Sequence, residues 1–151
     1  PMVMFACNEP SGDADRKDSP SNIEATGEFV VNMATEALTN QMNASSATVP
    51  NDVDEFELAG LTAEPSQLVK APRVAESPAH MECTFLKRVD LPSSNPAQRN
   101  EMIIGQVIGI HIRDEVLVDG LVDVTKFRPL ARLGYMQYTV VEKVFTLDRP
   151  G

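Results

Sequence analysis

The chain has 151 residues, 42% hydrophobic and 23% charged, with 8 glycines and 11 prolines. These are globular proportions and exclude collagen-like, mucin-like and wholly disordered chains. Thirteen basic against 22 acidic residues leave a net charge of -9, so no basic stripe is available to neutralise a phosphate backbone, and nucleic-acid binding is disfavoured.

A chain of about 150 residues suits one domain that buries about two-thirds of its unfolded surface. No apolar run approaches the roughly 20 residues of a membrane helix. The best run, Met102 to Ile112, is interrupted by Gly105, Gln106, Gly109 and His111. The expectation is a protein of the cytoplasm: there is no charged n-region and apolar h-region at the start. Cys7 and Cys83 also lack metal or redox spacing, and read as two reduced thiols.

Pro1 is followed at once by the apolar run Met2 to Cys7. That run reads as a buried strand rather than a frayed end, which predicts that sequence of the same domain precedes residue 1. Asn8-Glu9-Pro10-Ser11-Gly12 opens a polar loop that lasts to Asp18. Next comes helix punctuation: Ser19 suits the N-cap, Pro20 the first helical position, and Gly27 the residue just past the end. Ser21 and Glu24 offer an alternative capping box.

Glu28 to Met33 reads as a strand by its aromatic and β-branched content. Ala34 to Asn43 has helical composition, Asp54 to Ala59 suits one helical turn, and Leu61 to Ala75 reads as irregular. Ala79 to Val89 predicts a strand in which Met81, Cys83 and Phe85 alternate with His80, Glu82 and Thr84. Leu91 to Asn100 is a Pro/Ser/Asn loop. Met102 to Ile112 is the strongest strand, carried by Ile104, Val107, Ile108, Ile110 and Ile112, and its glycines suit a curved sheet. A brief strand around a turn (Val116 to Leu121), a short helix broken by Pro129 (Val124 to Leu133) and a last strand (Tyr138 to Leu147) complete the chain. Many strands with few helices favour an antiparallel barrel over alternating βαβ units.

Residues 1–75 carry 4 basic and 12 acidic side chains, so the adjacent Arg16 and Lys17 stand out. The helix opening at Ser19 presents backbone N–H groups and the positive end of its dipole, with Lys17 and Arg16 just before it. Together with the Ser19 hydroxyl they suit an anion seat for a small phosphate. The alternative is a well-capped surface helix beside two solvated cations. Asp18 would oppose an anion unless it caps the helix or orients Lys17.

Elsewhere the side-chain chemistry is sparse. Two histidines, His80 and His111, without further clustered ligands do not build a structural zinc site. Ser45 and Ser46 lack a His–Asp relay or a nucleophile elbow, and neither a dinucleotide fingerprint nor a phosphate loop is present. An enzyme with this inventory leaves the hard chemical step to a bound cofactor.

Several motifs in order complete a pattern: Pro1-Met2-Val3-Met4-Phe5, then Arg16-Lys17-Asp18-Ser19 with Asn22-Ile23, then Thr26 to Asn32. Val53 to Glu57, Ala59-Gly60-Leu61 and Pro72 to Pro78 with Glu82-Cys83 follow. Gly105 to His111, and Pro129 to Gly134 with Tyr138, close it. The set resembles the flavin reductase-like family of split-barrel FMN-binding proteins over nearly the whole chain. The resemblance implies a mainly β fold, a Greek-key split barrel with short helices, that forms a homodimer with FMN in a groove at the subunit interface.

It gives Arg16, Lys17, Asp18, Ser19 and Asn22 to the flavin phosphate, with Ser19 where threonine is commoner. It sets Cys7 and Asn8 near the flavin ring, and Arg132, Gly134 and Tyr138 on the cofactor or nicotinamide side. No catalytic acid or base is implied. The implied activity is an FMN-dependent oxidoreductase using NADH or NADPH and passing electrons to free flavin, oxygen or an oxygenase partner. The alternatives are a flavin-binding carrier without turnover, or a structural barrel without cofactor.

The family pattern also has roughly one or two further strands upstream, with a Pro-Arg-Pro-Ile-Gly-Trp-like and an Asn-Leu-Ala-Pro-Tyr-Ser-like stretch, absent here. Residues 1–151 are accordingly expected to be one domain missing its first strands, to bind FMN poorly by themselves, and to associate through unpaired edges.

Overall fold

The computed structural model describes residues 1–8, 17–50, 52–95 and 98–151. Ten strands and four helices follow in order: β1 (Met2–Asn8), α1 (Asp18–Thr26), β2 (Glu28–Asn32), α2 (Thr39–Ala44) entered through a 3-10 turn at Glu36–Leu38, and α3 (Glu55–Ala59). Then come β3 (Ala63–Glu64), β4 (Arg73–Val74) and the long strands β5 (Ala79–Leu91) and β6 (Asn100–Ile112). A 3-10 turn at Asp114–Val116 leads to β7 (Leu117–Val118), β8 (Leu121–Val122), α4 (Val124–Phe127), β9 (Leu130–Arg132) and β10 (Tyr138–Val140).

One sheet has the order β1-β6-β5-β2, and three two-stranded sheets pair β3 with β4, β7 with β8 and β9 with β10. The predicted helical stretch 34–43 thus divides into a 3-10 turn and a short helix. The last predicted strand shortens to three residues. Around Asp119-Gly120 both turn residues take positive φ, 52° and 77°, the turn twist that suits a two-residue hairpin.

The described residues form two compact units. The first comprises Pro1–Val31, Glu64–Arg73 and Met81–Ile110. β1 runs antiparallel to β6, with Met4 opposite Ile104 and Phe5 opposite Ile103. That register sends Val3, Phe5, Ile103 and Gly105 to one side and Met2, Met4, Ile104 and Gln106 to the other. The core gathers Ile23, Phe29, Cys83, Ile103 and Val107, with Val3, Phe5, Met81 and Phe85 packed against it.

Met2 and Met4 stay 68% and 72% exposed, and Ile108 and Ile110 are exposed as well. β1 is therefore a half-exposed strand rather than a buried one. In β6 the inward residues are Ile103 and Val107, with Ile104, Ile108 and Ile110 on the opposite side. Both faces of β6 are apolar, so strand periodicity alone does not choose between them.

Phe29 packs edge-on to Phe5, with ring centroids 5.7 Å apart at 71°, a favoured aromatic geometry. Its ring edge occupies the place where a Cβ on Gly105 would stand, and the Thr84 carbonyl oxygen lies only 3.2 Å from that point. Gly105→Val is expected to cost about 2–3 kcal/mol by overpacking. Phe29→Leu should recover part of the smaller loss in Gly105→Ala. Urea midpoints of the two singles and the double variant measure this coupling, and strict additivity would contradict the packing account.

The second unit comprises Asn32–Ala63, Val74–His80 and His111–Gly151. Ser77 is fully buried and its hydroxyl donates to the carbonyls of Met33 and Ala79, each at 2.9 Å. Arg128 holds Glu36 (2.6 Å) and Glu142 (2.8 Å), and its carbonyl accepts from the Glu36 N–H. It joins the 3-10 turn to the strand region after Pro129.

Three carboxyls of this unit are held below their ordinary range. Glu36 is lowered by the hydrogen bond from Arg128, Glu76 by its bond to Thr62 and Asp123 by its bond to Thr125. Each folded value lies under the unfolded one, so the stability they add is present above roughly pH 4.5 and fades as pH falls through the folded values. Thermal midpoints should hold level from about pH 7 to about pH 5 and then drop. Arg128→Met should flatten part of that acid limb. A limb of equal steepness in both proteins would contradict the assignment to Glu36.

Candidate functional site

The α1 N-terminus begins one residue before the expected cap. Lys17, with φ -52° and ψ 142°, is the N-cap and makes no side-chain capping bond. Ser19 and Pro20 therefore take the second and third helical positions. A proline anywhere in the first turn forfeits no intrahelical bond, because those N–H groups lack partners in any case. The punctuation consequently tolerates this shift. The Ser21 hydroxyl donates back to the Lys17 carbonyl at 3.1 Å and forms no capping box. Gly27 ends the helix in the left-handed conformation at φ 75°, as expected.

The orientation of α1 follows from its apolar side. Pro20 and Ile23, three residues apart, are buried, which turns Ser19 and Asn22, also three apart, outward. Lys17, Ser19 and Asn22 are exposed and Asp18 is half-buried. The first turn offers the N–H groups of Asp18 and Ser19 without intrahelical partners, and Pro20 contributes none. One edge of the first unit thus joins a cation, a hydroxyl, a carboxamide and two amide donors. Arg16 lies outside the described residues.

Arg88 of β5 links α1 to β6. It reaches Glu24 of α1 at 3.0 Å, Asp90 at 3.3 Å and the fully buried Glu101 at 3.7 Å. Glu101 stands opposite Cys7 across the β1–β6 pair, and Asn8 stands opposite Asn100. Cys7 is buried and Asn8 exposed. Sequence reading missed Arg88; the available signal was an acidic residue, Glu101, directly before the apolar run Met102 to Ile104. Burial pushes the Cys83 thiol up, so it suits packing rather than nucleophilic chemistry.

Arg132, Gly134 and Tyr138 belong to the second unit. Arg132 and Tyr138 are direct partners across β9 and β10, with the guanidinium 5.9 Å from the ring centroid, within cation–π range. Gly134 is exposed in the turn between these strands, where its carbonyl accepts from the Gln137 N–H. The expected residues that the structure describes thus fall in three places: the start of α1, the end of β1 and the β9–β10 hairpin. In the same unit the His80 and His111 rings lie 6.4 Å apart, and His80 Nε2 lies 2.8 Å from the Val74 carbonyl oxygen. Among the described residues no three metal-ligating side chains come together, and no helix is long and apolar enough to cross a membrane.

The family profile described as "Flavin reductase like domain" matches residues 1–131. An uncharacterized protein of Aquifex aeolicus is 37% identical over 139 residues, which cover 91% of this chain and 67% of that protein. The chain spans about two thirds of the length of the first curated relatives it matches. Among solved structures, nitrilotriacetate monooxygenase component B from Bacillus cereus is 27% identical, with a TM-score of 0.88, over 97% of this chain and 72% of its own. A candidate flavin reductase with a split barrel domain, from Shewanella frigidimarina, shares the fold at 24% identity and a TM-score of 0.80, over 99% of this chain and 71% of its own. A profile match over most of the chain and backbone likeness to solved relatives agree, and the chain belongs to the flavin reductase-like family, mainly β with short helices in the split-barrel class.

Proposed function

We propose that this chain forms part of an FMN-binding, NAD(P)H-dependent flavin reductase, and that it holds the flavin phosphate along the outward edge of α1. What supports this reading, beyond family membership, is one observation. Lys17, Ser19 and Asn22 are exposed on the same helix end that presents the Asp18 and Ser19 amides. That donor set fits a phosphate monoester: a cation for charge, a hydroxyl and amides for its oxygens, and a helix dipole of matching sign. Arg16 would add a second cation.

When bound, FMN supplies a two-electron redox centre able to accept hydride from a nicotinamide. The residues of the chain bind and orient. Lys17 and Ser19 anchor the phosphate, while Arg88 ties Glu24 of α1 to β5. Cys7 and Asn8, at the end of β1, are placed on the ring side. Arg132, Gly134 and Tyr138 form the nicotinamide side in this reading. No side-chain acid or base is required.

Pairing of two chains is part of the proposal. The face of β1 and β6 bearing Met2, Met4, Ile108 and Ile110 exposes several large apolar side chains, of the kind that interfaces cover. The likeness to nitrilotriacetate monooxygenase component B supports a separate oxygenase as one acceptor of the reduced flavin. The test is anaerobic mixing of the protein with FMN and NADH, then NADPH. The flavin's visible absorbance should bleach at a rate that rises with protein concentration. Persistent absorbance with both nucleotides would overturn the reductase reading and leave a flavin carrier.

A further inference from the structure

The turn of the β9–β10 hairpin holds out an aromatic ring. Tyr135 is 92% exposed, and its φ of 58° is a left-handed value that a bulky side chain adopts rarely and at a cost. The turn is closed by the Gln137 N–H on the Gly134 carbonyl at 3.2 Å and by the Leu133 N–H on the Gln137 carbonyl at 2.9 Å. Glycine at position 135 would fit this turn with less strain, so stability does not account for the tyrosine. Strain of this kind collects where a side chain has to be presented.

A cation belongs to the same turn. Arg132 donates to the Tyr135 carbonyl at 3.4 Å and lies 5.9 Å from the centroid of the Tyr138 ring. Neither partner is a carboxylate, so neither neutralises the guanidinium. From Val124 to Val141 the chain has three cations, Lys126, Arg128 and Arg132, and no Asp or Glu, in a protein of net charge -9. Arg128 is taken up by Glu36 and Glu142. An exposed ring and a guanidinium on one turn match a ligand that joins a planar base to a phosphate.

We propose that this turn takes the adenosine phosphate half of the nicotinamide nucleotide, with the base stacked on Tyr135 and a phosphate oxygen paired with Arg132. The inference deepens the reductase reading and takes the identity of the ligand from it. Exposure decides which half is held here. The nicotinamide has to meet the flavin away from water, whereas the adenine takes no part in the chemistry and suits a ring at the surface. Contacts to a non-reacting part that are equal in ground and transition state act on KM and leave kcat alone.

ADP-ribose keeps the adenosine phosphate half and lacks the nicotinamide, and is titrated calorimetrically against the full chain. Saturable binding that weakens roughly tenfold in Tyr135→Ala is expected, as the loss of one stacked base requires. Tyr135→Phe should stay close to the parent. Tyr135→Gly should bind as weakly as the alanine variant and be at least as heat-stable as the parent; a less stable glycine variant would assign the tyrosine to the fold instead. Flavin reduction then compares NADH with reduced nicotinamide mononucleotide, which lacks the adenosine. In Tyr135→Ala the KM for NADH should rise roughly tenfold at unchanged kcat, and the KM for the mononucleotide should not move. No saturable binding of ADP-ribose, equal affinity in parent and Tyr135→Ala, or an equal rise in both KM values would overturn the proposal. Should neither nucleotide bleach the flavin while ADP-ribose binds through Tyr135, the reductase reading fails and the adenine site stands.

Discussion

Lys17→Glu is expected to weaken FMN binding by roughly a hundredfold, about 2.7 kcal/mol. A charge-assisted bond to a phosphate contributes about 1.5–3 kcal/mol, and the substitution removes it and adds a like charge. Solvent screening reduces both contributions at an exposed position, so the gap between parent and variant should narrow as salt is raised. The fold should tolerate the change, because Lys17 is exposed and its side chain caps nothing. Lys17→Gln should fall between the two, isolating the repulsive part. Flavin fluorescence titration at two salt concentrations measures all three proteins. Equal affinities would remove the phosphate from α1, and absence of binding in all three would favour the reading in which the barrel has no cofactor.

The second large effect concerns Glu82, which takes no part in the proposed chemistry. Its side chain is fully buried, and its carboxyl oxygens accept the N–H groups of Gln67 (2.9 Å), Leu68 (2.6 Å) and Val69 (3.1 Å). Three consecutive amides of the 64–73 segment are thereby satisfied by one side chain of β5. Glu82→Leu would leave them without that acceptor, at about 1–3 kcal/mol for each amide that water cannot reach.

A net loss of about 3–5 kcal/mol is expected from Glu82→Leu, a large share of the 5–15 kcal/mol that stabilises a typical domain. Glu82→Gln keeps one oxygen acceptor and should lose less. Urea denaturation of the three proteins, with hydrogen exchange at residues 67–69, provides the check. A leucine variant as stable as the parent, with those amides still protected, would show that another group holds the segment.

These two residues illustrate different kinds of legibility. Lys17 was conspicuous in the sequence because cations are scarce in the first 75 residues and a helix start follows it. Glu82 was placed on a strand, yet nothing in the alternation of Met81, Cys83 and Phe85 with His80, Glu82 and Thr84 implied that His80 and Glu82 would be buried as well as Cys83. Their burial depends on the 64–73 and 74–78 segments, which fold back and offer backbone partners. An irregular stretch carries no periodic signal for such a return.

What the amino-acid sequence determined by itself was local. The left-handed stop at Gly27, a turn between Val116 and Leu121, the helical turn near Asp54 to Ala59 and, to within two residues, the extents of β1, β2, β5 and β6 follow from backbone sterics and short-range hydrogen bonding. Such signals act within a few residues. The ordered motifs carried family membership as well. Tertiary structure alone decided which face of β6 meets the core, because isoleucines occupy both. It also decided which acids are buried, and that Arg88 pairs with Glu24 of α1. Those outcomes depend on contacts between residues far apart in the chain, whose geometry exists only once the strands have paired.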